Sequence, residues 1–95
     1  MGKTYWVYIL ASRRRGALYI GITHDPGGRI YSHRTGTGSL HAWRYRIFLL
    51  VYLESFDSAS EAIAREKQLK KWRRQWKIDL IASVNPNWED LYRHI

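Results

Sequence analysis

Within LYIGITHDPGGRIYSH, residues 18–33, a strand-like run carrying Tyr19 and Gly21 gives way to a segment in which Arg29 and His33 stand four residues apart. Residues four apart share one face of a helix. A guanidinium can grip a phosphate through two oxygens, and an imidazole carries a proton near neutral pH, so the pair suits a phosphate ester better than a core. Tyr8 lies in the preceding strand-like run. Any hairpin turn that sets an even-numbered residue against an odd-numbered one puts Tyr8 and Tyr19 on the same face, with Gly21 leaving bare backbone beside them. A register centred between Arg13 and Arg14 sets the two phenols directly opposite. On spacing alone they also read as an aromatic cross-strand pair that stabilises the hairpin.

Glu66 is the acidic counterpart. A stripe at three- and four-residue steps through Ala59, Ala62, Ile63 and Leu69 lands on it, aiming a carboxylate at the interior or at a cleft. Burying it unpaired costs several kcal/mol, so a cation is required. That cation is either a Lys or Arg side chain or a metal ion. Mg²⁺ commonly takes one protein carboxylate and fills its other positions with water and phosphate oxygens. Around Glu66 the run REKQLKKWRRQWK, residues 65–77, holds seven Lys and Arg against one acid, with Trp72 and Trp76 among them. It reads as cations outward and tryptophans partly in the core, a surface able to track a phosphate backbone.

These residues need positioning elements. Residues 4–11 and 17–23 are rich in aromatic and β-branched types and predict two strands joined by the SRRRG turn, with Gly16 supplying a positive φ. Asp25 and Pro26 read as a helix cap and first turn, opening a short helix to about Arg34. TGTGS is a loop, and residues 46–54 predict a third strand, apolar on both faces and hence central or covered. Ser58 with Glu61 forms a capping box for a helix to about Trp72. A further helix over 74–84 places Trp76, Leu80, Ile81 and Val84 on one side, and NPNW breaks it before a short terminal turn. The order β-β-α-β-α-α predicts an α+β fold, a small sheet flanked by helices, in a single domain spanning 1–95.

Composition narrows the partner. Sixteen Lys and Arg against eight Asp and Glu leave a net charge of +8, with five Trp and seven Tyr, which points to a polyanion whose bases stack on aromatic faces. With no Cys there is no disulfide framework or thiolate metal site, and the four His lack zinc-ligand spacing. The longest apolar run, residues 47–53, is far short of a membrane span. The amino terminus has the wrong charge order for a secretory signal, and Trp6 stands where an acyl signal beginning at Gly2 would want Ser or Thr. The cytoplasm is the expected address, without a membrane. No dinucleotide loop, Walker loop or activated serine is present.

WVY at 6–8 and YIG at 19–21, followed by Arg29, His33, AREKQLKKW with Glu66, and NPNWEDLY, resemble the GIY-YIG nuclease superfamily, in particular its small single-domain YhbQ-like (UPF0213-type) members. The resemblance runs through nearly the whole chain. It implies a three-stranded antiparallel sheet flanked by helices and a phosphodiesterase dependent on Mg²⁺ or Mn²⁺ that acts as an endonuclease on nucleic acid, with DNA favoured over RNA. By position, Tyr8 and Tyr19 are the motif tyrosines, Arg29 lies near the scissile phosphate, Glu66 is the metal ligand, and His33 matches a histidine found in some members. Tyr8 is the expected base, with His33 as an available relay, and Tyr19 positions water or phosphate, the two tyrosine roles being open to exchange. Arg13, Arg14, Arg15, Lys67, Lys70, Lys71, Trp72, Arg73 and Arg74 are the expected nucleic-acid contacts, with a lean toward single-stranded or distorted DNA. Two other readings keep the fold: a binding module that does not cut, and a subunit recruited to a larger DNA-processing complex.

Overall fold

Residues Val7–Ala11 are buried without a break, the mark of a strand covered on both faces, and they form the centre of the sheet. The computed structural model describes residues 3–95, so Gly2 lies outside the described residues. It contains β1 (Tyr5–Ala11), β2 (Leu18–Thr23), α1 (Pro26–Arg34), α2 (Leu40–Arg44), β3 (Leu49–Phe56), α3 (Ala59–Lys71), α4 (Arg74–Val84) and a terminal 3₁₀ turn (Leu91–His94). The sheet is antiparallel with strand order β2-β1-β3, giving the α+β architecture expected from the sequence. Among the described residues no helix is long and apolar enough to cross a membrane.

Alternation along β1 sorts the core into two layers. Val7, Ile9 and Ala11 meet Ala62 and Leu69 of α3 and Ile78 and Ile81 of α4. Tyr8 and Leu10 face the other way, with Ile30 of α1, Ala42 of α2 and Ile47. A bulge shifts the β1–β3 register between Ile9, which pairs with Tyr52, and Leu10, which pairs with Leu50. The extra residue is Val51, and Val51 and Tyr52 therefore both join the α3–α4 layer although they are consecutive.

Two expectations are corrected here, and one element is added. The third strand begins at Leu49 rather than Arg46, and of the two alternatives, central or covered, it is the covered one, at the edge of the sheet. Both its faces are covered, and its outer backbone edge is closed by Asn85 Nδ2 donating to the Val51 carbonyl and by Leu50 N–H donating to Asp90. Between the TGTGS loop and the third strand, where the sequence alone assigned no element, lies α2, whose cap, Ser39, accepts from Ala42 N–H. On α4 the inward pair is Ile78 and Ile81, while Trp76 is half exposed and Val84 more so. Trp76 is held instead by an edge-on contact with Trp72, ring centroids 6.0 Å apart.

The hairpin turn also departs from expectation. Positive φ falls on Arg15, at 57°, and not on Gly16. The Arg74 guanidinium donates to the carbonyls of Arg15 and Gly16, tying the start of α4 to the turn. Asp25 and Ser58 cap α1 and α3 as their sequences predict, accepting from Gly28 N–H at 3.2 Å and Glu61 N–H at 3.1 Å.

Candidate active site

Tyr8 pairs with Gly21 across the hairpin, while Tyr19 stands opposite Leu10. The register is therefore centred between Arg14 and Arg15, one position later than the arrangement that would set the tyrosines face to face. They remain on one face as diagonal neighbours, ring centroids 6.4 Å apart. The consequence is chemical, because the Tyr8 ring extends over the bare backbone of Gly21. A Cβ at residue 21 would overlap the hydroxyl end of that ring. Gly21→Ala is accordingly expected to cost about 1–3 kcal/mol in thermal or denaturant unfolding through overpacking. An unchanged melting temperature would mean that the ring shifts freely.

Two groups converge on the Tyr8 hydroxyl. His33 Nε2 lies 2.9 Å away, and Arg29 Nε donates to the hydroxyl at 3.5 Å. Both come from α1, four residues apart as the sequence indicates. Ser39 N–H donates to His33 Nδ1 at 3.3 Å. A backbone N–H can only donate, so in the neutral ring Nδ1 is the acceptor and Nε2 carries the proton toward Tyr8. His33 thus presents a donor to the phenol, and the relay expected from the sequence does not fit this tautomer.

His33 is fully buried, and burial first, then the Arg29 charge, lowers its pKa from 6.5 to about 4. The ring is therefore neutral at neutral pH. In the unfolded chain it titrates near ~6.5. Between the two values the unfolded chain binds the additional proton, so this contribution to stability is complete above about pH 6.5 and is lost as pH falls toward about 4, by at most roughly 3 kcal/mol. Thermal melts of wild type and His33→Gln across that window should show a shallower decline in the variant. Parallel curves would assign the acid sensitivity to other groups.

Burial raises the Tyr8 pKa, the hydrogen bond from Arg29 opposes that rise, and the negative charge of Glu66 adds to it. The group is a phenol in this structure. Its hydrogen bond to Tyr8 is the largest influence raising the Arg29 pKa, with both tyrosines contributing, and the guanidinium is charged. Tyr19, half-buried, packs edge-on against His33 with centroids 5.1 Å apart. Tyr8, Tyr19, Arg29 and His33, drawn from β1, β2 and α1, are thus clustered around the Tyr8 hydroxyl, and the charge of Glu66 on α3 reaches it.

The order and placement of these residues match the family described as the GIY-YIG catalytic domain over residues 4–79. The chain belongs to the GIY-YIG family. GIY-YIG domains are nuclease domains, and this chain is of the small UPF0213 type. It is 38% identical over 78 residues to a UPF0213 protein of Staphylococcus saprophyticus, covering 82% of this chain and 94% of that protein. A UPF0213 protein of Staphylococcus haemolyticus is 40% identical over 81 residues, covering 85% and 96%. The solution NMR structure of a UPF0213 protein from Bacillus halodurans superposes with a TM-score of 0.57 at 31% identity, covering 92% of each chain.

GIY-YIG nucleases generally use divalent metals. Among the described residues no group of three or more His, Cys, Asp or Glu is arranged to hold an ion. Glu66 alone suits a hard cation that keeps most of its water and borrows phosphate oxygens. Its side chain is 16% exposed, and its nearest cation, Lys70 at 3.5 Å, is 54% exposed and one helical turn away on the same helix. Such a pair is weak enough to yield its carboxylate.

The remaining candidate residues divide. Arg13, Arg14 and Arg15 are exposed on the hairpin turn, and Lys67, Lys71 and Arg73 are exposed on α3 and just beyond it. Arg74 is engaged with the turn, and Lys70 with Glu66. Trp72 packs against the α3–α4 core layer with Arg65 over its ring at 5.1 Å, so it offers no free stacking face. Asn85 of the NPNWEDLY segment, which is not among those candidates, is bonded to Val51 and Glu89. Sequence reasoning missed Ser39, whose backbone N–H sets the His33 tautomer. Its only sequence signal is a serine at a helix cap.

Proposed function

We propose that the chain is a divalent-cation-dependent endonuclease that hydrolyses phosphodiester bonds in DNA in preference to RNA, at work in the cytoplasm. The observation that carries this reading is the Tyr8 hydroxyl, held between Arg29 Nε and His33 Nε2 over Gly21 and within the influence of Glu66.

Hydrolysis requires a base for water, positive charge for the oxygens on phosphorus, and a neutralised leaving oxygen. Arg29, kept charged, supplies fixed positive charge beside the phosphate. Tyr8 is assigned as the base in its phenolate form, reached by release of the phenolic proton to solvent; it takes a proton from the attacking water, and the tyrosine so formed can return one to the leaving oxygen. His33 N–H and Arg29 N–H both point at the Tyr8 oxygen, which orients it and favours the phenolate once the proton leaves. Tyr19 positions water or phosphate. A divalent cation held by Glu66 would stabilise charge on the phosphate and offset the carboxylate charge that raises the Tyr8 pKa.

Labelled single-stranded DNA, duplex DNA and RNA, incubated with purified protein in Mg²⁺, Mn²⁺ or EDTA, test the proposal. DNA products that appear with metal and vanish with EDTA are expected. Binding without products under every condition would turn the reading to a module that does not cut.

A further inference from the structure

We infer that the outer face of α2 is a stacking surface for unpaired bases of the strand presented to the Tyr8 site. The inference rests on the proposed function for its substrate, yet concerns residues outside the catalytic group.

α2 is five residues long and packs into the fold through Ala42, which is fully buried. On another side Leu40 is 65% exposed and Tyr45, the residue that caps the helix, 58%, while Trp43, 50% exposed, lies beside Gly36. Leu40 and Tyr45 are large apolar side chains left uncovered beside one another, and an exposed apolar patch of this kind marks an interaction surface. The patch is shaped. His41 and Tyr45 pack ring against ring with centroids 4.9 Å apart, and Leu40, His41, Arg44 and Tyr45 line a depression of about 220 Å³.

Charge selects the occupant. From Pro26 through Leu53 the sequence holds four Arg and two His and no Asp or Glu. Neither the Arg44 nor the Arg46 guanidinium makes an ion pair among the described residues. Aromatic faces interleaved with free guanidiniums suit bases for stacking and phosphates for pairing. A protein partner would need only the apolar part. Position links the surface to the chemistry, since Ser39, the residue that caps α2, also bonds His33. A duplex hides its base faces, so the strand that stacks here is unpaired.

Fluorescence anisotropy in EDTA, with a single-stranded oligonucleotide and a hairpin duplex of the same composition, separates binding from cutting. Tyr45→Ala is expected to weaken single-strand binding about tenfold, Tyr45→Phe to restore it, and duplex binding to change less than about twofold. An unchanged single-strand affinity, or equal losses for both substrates, overturns the inference. Photocrosslinking of wild type to a 5-iodouracil single strand needs no variant. Crosslinks at His41 or Tyr45 support the surface, and crosslinks confined elsewhere, or no single-strand binding at all, overturn it. Crosslinks at α2 without cleavage in any metal would remove the nuclease proposal and leave this one standing. Metal-dependent cleavage with crosslinks elsewhere would do the reverse.

Discussion

Glu66→Ala is expected to reduce metal-dependent cleavage by about a thousandfold or more while leaving nucleic-acid binding intact. The carboxylate sits on the inward side of α3 with Ala62 and Leu69, yet its pairing with Lys70 is a same-helix contact to an exposed side chain. A structural role for such a pair is worth at most about 0.5 kcal/mol, so the fold should survive its loss. Removing a negative charge from a chain of net charge +8 does not weaken its attraction for a polyanion. The informative comparison is single-turnover cleavage at saturating protein against anisotropy in EDTA. A variant that binds normally and fails to cut places Glu66 in the chemistry. Cleavage at the wild-type rate, in a preparation cleared of contaminating nuclease, would end the assignment of Glu66 as the metal ligand.

Tyr8→Phe carries the second large effect, a rate loss of about 10²–10⁴-fold for a lost base. The substitution also leaves the His33 Nε2 proton without its partner, in a site where that ring is fully buried. An orphaned buried donor costs about 1–3 kcal/mol, so the melting temperature should fall as well. The two consequences are separable. At saturating protein and a temperature well below the transition, instability of that size leaves the chain folded, and the remaining loss of rate belongs to the chemistry. Full activity in Tyr8→Phe together with loss in Tyr19→Phe would exchange the roles of the two tyrosines. Full activity in both would dismiss a phenol as the base.

The hairpin, the capped starts of α1 and α3, and the shared face of Arg29 and His33 were legible because each rests on interactions within a few residues. Asp25 with Pro26 and Ser58 with Glu61 announce helices whose caps the structure contains, and i, i+4 spacing needs only a helix to become adjacency. Parity alone put Tyr8 and Tyr19 on one face. Their offset depended on the turn, where Arg15 and not Gly16 took the positive φ and moved the register by one position.

What lay beyond the sequence was set by contacts between distant segments. The edge position of β3 depends on which side of β1 it joins, and its protection comes from Asn85 and Asp90, more than thirty residues later. The exposed side of Trp76 and the buried side of Ile78 follow from the angle at which α4 meets the sheet, which helical periodicity does not specify. Most consequential is His33. Its type and spacing marked it as a group that could carry a proton. Complete burial and the Ser39 N–H turned it into a neutral donor. The sequence by itself determined which residue types could perform chemistry, that the two tyrosines would share a hairpin face and that Arg29 and His33 would share a helix face, since local spacing and strand parity are properties of the chain. Only the tertiary structure decided the direction of each hydrogen bond and the charge of each group, because both depend on desolvation and on neighbours that the fold brings from far along the chain.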